Sequence, residues 1–158
     1  FFEIMSLATE AEFEAVHQAI DPATDNIATS LLHFGEKLLA FLYSPSFQAQ
    51  RHLAIAESRR SRLGQLAYER GVLRSQKLME EFLQAAMTSG KLRQANPHVA
   101  TCHLYSLLES ELLDRFLFQL QDQIPGEEIA AATGRAIEVF MAAYGPRSGG
   151  ETKSMHPC

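Results

Sequence analysis

The stretch NIATSLLHFGEKLLAFLY, residues 26–43, decides the fold class of this chain. Its apolar residues recur every three to four positions, which is the period of an α-helix and not the alternation of a β-strand. His33 lies on the narrow polar strip that remains, so we interpret it as a solvated histidine. The stripe is wide enough to predict a mostly buried helix, and its members are Ile27, Leu31, Phe34, Leu38 and Phe41, widened by Leu32, Leu39 and Leu42.

The helical period continues along the rest of the 158 residues. The 21 Ala and 20 Leu far outnumber the 11 Val plus Ile, and no strand-like alternation occurs, so we predict an all-α fold. A chain of this length supports one hydrophobic core. Gly and Pro divide it into about six helical stretches, at residues 6–20, 26–43, 46–60, 63–89, 96–121 and 127–144. We assign residues 1–22 to an opening connector helix, 23–145 to the main domain and 146–158 to a flexible tail.

Three helix boundaries have specific signals. Gly71 lies inside the stretch 63–89 and favours a kink or break there, and Gly90 is its expected stop. Asn96-Pro97 supplies an N-cap and a first-turn proline for the next helix.

Composition and charge exclude several classes of protein. With 14 basic and 19 acidic residues the formal charge is −5, so we expect no operator binding by these residues alone. No apolar run is long enough to cross a bilayer and no signal sequence is present, which favours the cytoplasm. Cys102 and Cys158 are too few to staple a fold, so we interpret both as free thiols. The first residue is Phe, which suggests the remainder of a longer protein.

Signatures of catalysis and cofactor binding are missing. Di-iron bundles need Glu-x-x-His motifs in pairs on facing helices, and the chain has no such pair. Cys102 and His103 are adjacent, so on a helix they point about 100° apart and do not chelate one ion unaided. No nucleophile elbow, phosphate-binding loop or dinucleotide fingerprint occurs. We therefore predict no cofactor, no metal and no enzyme activity.

The stretch 46–60 differs from the others because, as a helix, it has no face that is purely polar. Glu57 and His52 each share a direction with apolar neighbours. Two interpretations stay open. In one, Glu57 pairs with an arginine on the same or the next helix and His52 is partly solvated. In the other, this helix borders a cavity and the two polar groups orient a ligand.

Several blocks of sequence resemble the C-terminal regulatory region of TetR-family transcriptional repressors, in particular the AefR-like branch. The first block is Arg51 with Leu53-Ala54-Ile55-Ala56-Glu57, and the second is Leu66-Ala67-Tyr68-Glu69-Arg70-Gly71. A third run combines Phe82-Leu83, Ala85-Ala86, Gly90-Lys91-Leu92, Asn96-Pro97, Ala100 and Leu107-Leu108. Upstream, Thr9-Glu10-Ala11-Glu12-Phe13-Glu14-Ala15-Val16 is similar to the connector that follows the family's helix-turn-helix. Glu12 and Asn96 depart from the usual Leu and Asp.

The resemblance implies the regulatory domain of a repressor that binds an unknown small-molecule effector. Operator DNA would be bound only through an N-terminal helix-turn-helix that is missing from these residues, and the connector helix would transmit changes from the pocket to it. The family's usual pocket location lies between the stretches 26–43, 47–59 and 63–89 and the start of the Asn96 helix. There the apolar walls would be Phe34, Phe41, Ile55, Phe82 and Met87, and the polar groups would be His52, Tyr68 and His103. For Phe34, Phe41, Phe82 and Met87 the alternative is plain core packing.

We also predict a homodimer formed by the last two helices. The stretch 96–121 carries apolar residues on two sides, and the last helix offers small residues that permit a close helix approach. Pairing both helices with their symmetry mates gives a dimeric four-helix bundle. The predicted interface residues are Leu104, Leu107, Leu108, Glu111, Arg115, Phe118, Ile129, Ala132, Thr133, Ala136, Ile137, Phe140 and Tyr144. Glu111 and Arg115 are spaced to pair within a chain or across the axis, although a solvated pair fits equally well.

Two rival hypotheses belong to other classes. One is a stand-alone helical adaptor that binds a partner protein through exposed apolar faces and whose full-length form has no DNA-binding domain. An α-helical enzyme would need a pocket with convergent titratable groups, for which the sequence gives no constellation.

Overall fold

The computed structural model of the chain describes residues 2–120 and 123–147. Within them it contains seven helices and no strand, so the predicted all-α class is confirmed. The predicted tail lies outside the described residues except for Pro146 and Arg147. The helices are α1 (Phe2–His17), α2 (Ile27–Leu42), α3 (Pro45–Glu57), α4 (63–88), α5 (Pro97–Glu109), α6 (Leu113–Leu117) and α7 (Gly126–Tyr144).

Side-chain caps fix where three of these helices begin. The Asn26 side chain accepts a hydrogen bond from the Thr29 amide at 3.0 Å at the start of α2. Ser44 caps α3 in the same way, ahead of Pro45. At the start of α5 the Asn96 side chain accepts from the Val99 amide at 3.1 Å, as the Asn96-Pro97 signal predicts. Local sequence therefore sets these boundaries.

Helix α4 is continuous but not uniform. It is α-helical over Leu63–Ala67 and Arg74–Thr88, with a π-helical turn over Tyr68–Leu73 between them. The predicted irregularity at Gly71 thus takes the form of a π-turn and not of a break. After Thr88 the chain leaves the helix through Gly90, whose φ of +77° suits glycine.

The structure corrects the prediction of one long helix over residues 96–121. Helix α5 ends at Glu109, and only the short α6 follows. The Ser110 hydroxyl donates to the Leu107 carbonyl at 2.7 Å, and such a bond competes with continued helix formation. Leu112, at the turn between α5 and α6, is fully buried.

Helix α2 lies at the centre of the core and packs closely on α7, which in turn packs on α5. Gly35 permits this approach, because a Cβ at that position would lie 2.7 Å from Thr133 Cγ2 and 2.8 Å from Leu108 Cδ2. Helix α4 covers α5 from the other side. Fully buried side chains from four helices fill the space between, among them Phe34, Leu39, Met79, Leu83, Met87, Leu104, Leu108 and Phe140. Across the described residues, no helix is long and apolar enough to cross a membrane.

Candidate functional site

A chain of hydrogen bonds joins α1, the helix predicted to be the connector, to the body of the domain. His17, in the last turn of α1, has its Nε2 2.7 Å from Ser75 Oγ on α4. Ser75 Oγ also contacts the Tyr105 hydroxyl on α5. The ring of Phe34 on α2 lies edge-on to both His17 and Tyr105, with centroids 5.6 and 6.1 Å away. We call His17, Ser75 and Tyr105 the relay, since it connects three helices through neutral side chains.

The chemistry of the partners fixes the direction of every bond in the relay. His17 Nδ1 lies 2.8 Å from the Phe13 carbonyl, which only accepts, so Nδ1 carries the proton. Burial lowers the pKa of His17, which keeps the ring neutral and leaves Nε2 to accept from the Ser75 hydroxyl. Ser75 in turn accepts from the Tyr105 hydroxyl, whose pKa is raised by burial. The relay therefore runs in one direction, from Tyr105 to the end of α1.

Arg74 makes a second attachment of α1, next to the relay. Its guanidinium donates to Glu10 Oε1 at 2.6 Å and to Glu14, and it lies 4.4 Å from the centroid of the Phe13 ring. An open groove of about 620 Å³ follows this contact between α1 and α4. The groove is lined by Glu10, Glu69, Arg70, Leu73, Arg74, Lys77 and Leu78. The end of the connector is thus held by one neutral and one ionic contact to adjacent residues of α4.

A second polar cluster lies where α2, α3 and α5 meet. Arg51 donates to both carboxylate oxygens of Glu109 at 2.7 and 3.1 Å, and the Tyr43 hydroxyl donates to the same carboxylate at 2.9 Å. Burial and the Glu109 charge raise the pKa of Tyr43. The Arg51 guanidinium and the His52 ring both stack on Phe116, at 4.3 and 4.1 Å. All its charges are paired, so this cluster ties helices together.

The structure does not bring the eight predicted ligand residues together. Phe34, Phe82 and Met87 are fully buried in the core, and Phe41 is nearly so and packs on Phe47. Ile55 and Tyr68 lie on the surface, 53% and 49% exposed.

The two predicted histidines also have other neighbours. His52 packs on Phe116, and His103 bonds the Tyr144 hydroxyl at 2.5 Å. Glu57 makes no ion pair among the described residues, so neither interpretation of the stretch 46–60 is supported in full. Of the eight predicted ligand residues, only Phe34 adjoins the relay.

Most of the predicted dimer residues are used inside the single chain. Those buried in its own core are Leu104, Leu108, Ile129, Ala132, Thr133, Ala136, Ile137, Phe140 and Tyr144. Apart from the edge of Tyr144, which reaches the depression described next, side chains in these positions offer almost no surface to a second copy. Phe118, by contrast, is 72% exposed.

The exposed face shared by α5 and α7 contains a shallow apolar depression of about 350 Å³. It is lined by His103, Ser106, Leu107, Val139, Ala143 and Tyr144, and Val139 is 53% exposed. Beside it, Glu111 and Arg115 each make an ion pair with a residue of α7. Arg135 donates to both oxygens of Glu111 at 2.9 and 2.8 Å, and Arg115 lies 2.5 Å from Glu128. Helix α7 supplies the partner in both pairs, because α5 ends before Glu111.

Sequence reasoning missed His17, Ser75 and Tyr105. These residues lie 58 and 30 positions apart along the chain, so no local motif relates them. The one available signal is Ser75, a hydroxyl on the apolar stripe of α4 that is buried in the structure. Among the described residues, no group of three His, Cys, Asp or Glu side chains is arranged to hold a metal.

These features define an all-helical domain whose first helix, α1, is attached to the rest through the relay and Arg74. The fold is that of solved TetR-family regulators. A regulator from Mesorhizobium loti MAFF303099 superposes with a TM-score of 0.81 at 20% identity, covering 90% of this chain and 72% of that one. The flavonoid-responsive regulator FrrA superposes with a TM-score of 0.71 at 21% identity, covering 92% and 74%.

The sequence itself identifies the branch. Residues 29–146 match the model of the C-terminal domain of AefR-like transcriptional repressors, and the chain belongs to that TetR-type family. It is a regulatory domain and not an enzyme. No curated protein matches the chain.

Proposed function

We propose that this chain is the effector-binding and dimerisation domain of a cytoplasmic transcriptional repressor, in which effector binding displaces α1 and so releases operator DNA. The DNA reader would precede α1 in the full-length protein. The observation that carries the proposal is the double attachment of α1. Both the relay and the Arg74 contact end on its last two turns, so a change at this seam moves the connector.

The packing of the relay gives the effector a way to act. An effector changes a conformational equilibrium only if it binds the two states with different affinity. Phe34 and Ser75 are buried in the state described, so a molecule that enters beside them has to part α1 from α4 and α5. Binding there is therefore stronger in the state with a displaced connector.

The groups around the relay favour an uncharged aromatic effector with hydroxyl groups. His17 is neutral and the hydroxyls of Ser75 and Tyr105 both donate and accept, so hydroxyl groups of a ligand find partners there. The rings of Phe13 and Phe34 offer aromatic faces. The name of FrrA states that it responds to flavonoids, which are molecules of this class.

Thermal unfolding with a flavonoid, naringenin, as the probe tests the effector site. We expect naringenin to raise the Tm of the parent domain, because a ligand of the native state stabilises it by mass action. Phe34→Ala and Tyr105→Phe should reduce that shift, whereas His33→Ala, on the exposed face of the same helix as Phe34, should not. No shift with the parent would refute the aromatic class, and an equal shift in all variants would refute the location.

Operator binding tests the regulatory role independently. In the full-length protein we expect sequence-specific binding to a DNA duplex selected from a random pool, and none by residues 1–158 alone. Ser75→Ala should weaken the full-length complex, because it removes the centre of the relay. A full-length protein without specific DNA binding would refute the proposed function.

For the dimer, we propose that the two copies meet through the apolar depression on α5 and α7. The surface of the depression is formed mainly by apolar atoms, although His103, Ser106 and Tyr144 also line it, and it lies on the outer side of the two helices. The mates then form the four-helix bundle through Leu107, Val139 and Ala143, while the buried residues named above support the helices from within.

A further inference from the structure

Three side chains on α4 and α5 form a cluster that neither the relay nor the dimer surface uses. His98 Nδ1 lies 2.6 Å from Glu80 Oε1, and His98 Nε2 lies 3.8 Å from the sulfur of Cys102. His98 and Cys102 are one turn apart on α5, and Glu80 reaches them from α4. Cys102 is half-buried and His98 is exposed, so solvent and small molecules reach the cluster.

The order of the three groups fixes the position of the proton on the histidine. The Glu80 carboxylate only accepts, so His98 Nδ1 carries its hydrogen and donates to it. The lone pair of Nε2 then faces the thiol of Cys102. A nucleophile beside a base that is oriented by a third group is the arrangement that activates nucleophiles in general.

We propose that Cys102 is a covalent modification site for small soft electrophiles of the α,β-unsaturated carbonyl class, with His98 as its base and Glu80 as the positioning residue. The thiol proton moves to His98 Nε2, and the sulfur forms a bond to the β-carbon of the electrophile. The π electrons of the C=C bond move to the α-carbon, which then takes the proton back from His98. The step is a net addition and needs no oxidant or reductant.

The surroundings define which electrophiles fit. Cys102 does not line the groove on α1 and α4 or the α5–α7 depression, so the proposal assigns it small electrophiles and not a substrate held in either cavity. Selectivity therefore comes from thiol chemistry. Cys102 also lies one turn before Tyr105 on α5, which places an adduct next to the helix seam that carries the relay.

Alkylation by acrylamide, followed by intact mass, tests the proposal. The background is Cys158→Ser, so that only one thiol remains. At pH 7 we expect His98→Gln to slow modification of Cys102 at least about fivefold, and Glu80→Gln to slow it less. His33→Gln, another exposed histidine, should react at the parent rate. Circular dichroism confirms that each variant is folded.

The same rates at pH 10 separate a base from a steric effect. Bulk hydroxide takes over the role of the base there, so the parent and His98→Gln should react at equal rates. Equal rates at pH 7 would overturn the proposal, and so would a difference that persists undiminished at pH 10. Neither result depends on an effector or on DNA, so failure here leaves the regulatory proposal standing.

Discussion

Protonation of His17 is incompatible with the relay, because Nε2 then carries a hydrogen and cannot accept a hydrogen bond from Ser75. In the folded chain burial lowers the pKa of His17 below its ordinary value near 6.5; the Phe13 carbonyl partly opposes this, and the smaller effects of Arg74 and Glu14 lower and raise the pKa respectively. As the pH falls through 6.5, the unfolded chain gains a proton that the folded chain resists. The free energy of unfolding should therefore decrease below pH 6.5 and be independent of this group above pH 7.

Urea unfolding at pH 5.5 and 7.5 measures this effect. The difference between the two pH values should shrink in His17→Gln, whatever the absolute stability of the variant, because no group there titrates. His33→Gln, which removes an exposed histidine, should keep the parent difference. If His17→Gln also keeps it, then His17 is not held neutral.

Gln119 shows strain at a single backbone position. Its φ is +53°, and the amides of Gln119 and Leu120 donate to the carbonyls of Phe116 and Arg115, the pattern in which glycine usually ends a helix. We expect Gln119→Gly to raise the free energy of unfolding by about 0.5–1 kcal/mol. Gln119→Ala is the matched control, since it keeps a Cβ and should change little. Chemical denaturation of the two variants compares them directly.

At the scale of elements, the contact between α2 and α7 depends on Gly35. Gly35→Ala should lower the free energy of unfolding by about 1–3 kcal/mol, because its Cβ would overlap Thr133 and Leu108. Gly134→Ala on α7 is the control, since a Cβ there meets nothing within 4 Å and alanine favours helix by up to about 1 kcal/mol. Adding Thr133→Ser to Gly35→Ala should recover part of the loss. Equal stability of both alanine variants in urea would contradict the close approach.

The helices also show what a sequence can and cannot specify. The caps at Asn26 and Asn96 are interactions between residues three apart, so the pattern predicts them. The end of α5 at Glu109 could not be predicted, because the apolar period continues through the break and the reason lies partly in contacts with Arg51 and Tyr43 far along the chain. The relay could not be predicted either, because its three residues are far apart along the chain. Apolar periodicity identifies Phe34 as inward-facing but gives no information about which polar groups meet it.

At the scale of the whole molecule, dimerisation has to use side chains that the single chain leaves exposed. Val139→Glu places a charge in the centre of the proposed α5–α7 surface and should shift the protein from dimer to monomer in sedimentation at micromolar concentration. Val72→Glu is the matched control, because Val72 is 50% exposed on α4 and Val139 is 53% exposed. Phe140→Glu is not a suitable test of dimerisation, because Phe140 is buried in its own chain and a charge there would change the stability of the fold. A Val139→Glu protein that dimerises like its parent would refute this surface.

The π-turn of α4 has a consequence for the history of the family. Such a turn accommodates one residue more than a regular α-helix, so we expect the segment Tyr68–Leu73 to hold one residue more than the same segment of a relative whose helix is regular throughout. The residues directly after the turn make the attachments of α1: Arg74 contacts Glu10, and Ser75 contacts His17. Relatives that lack the extra residue should therefore align with a one-residue gap inside 68–73 and with no displacement on either side. An alignment without that gap would assign the attachments of the connector to the wrong ancestral positions.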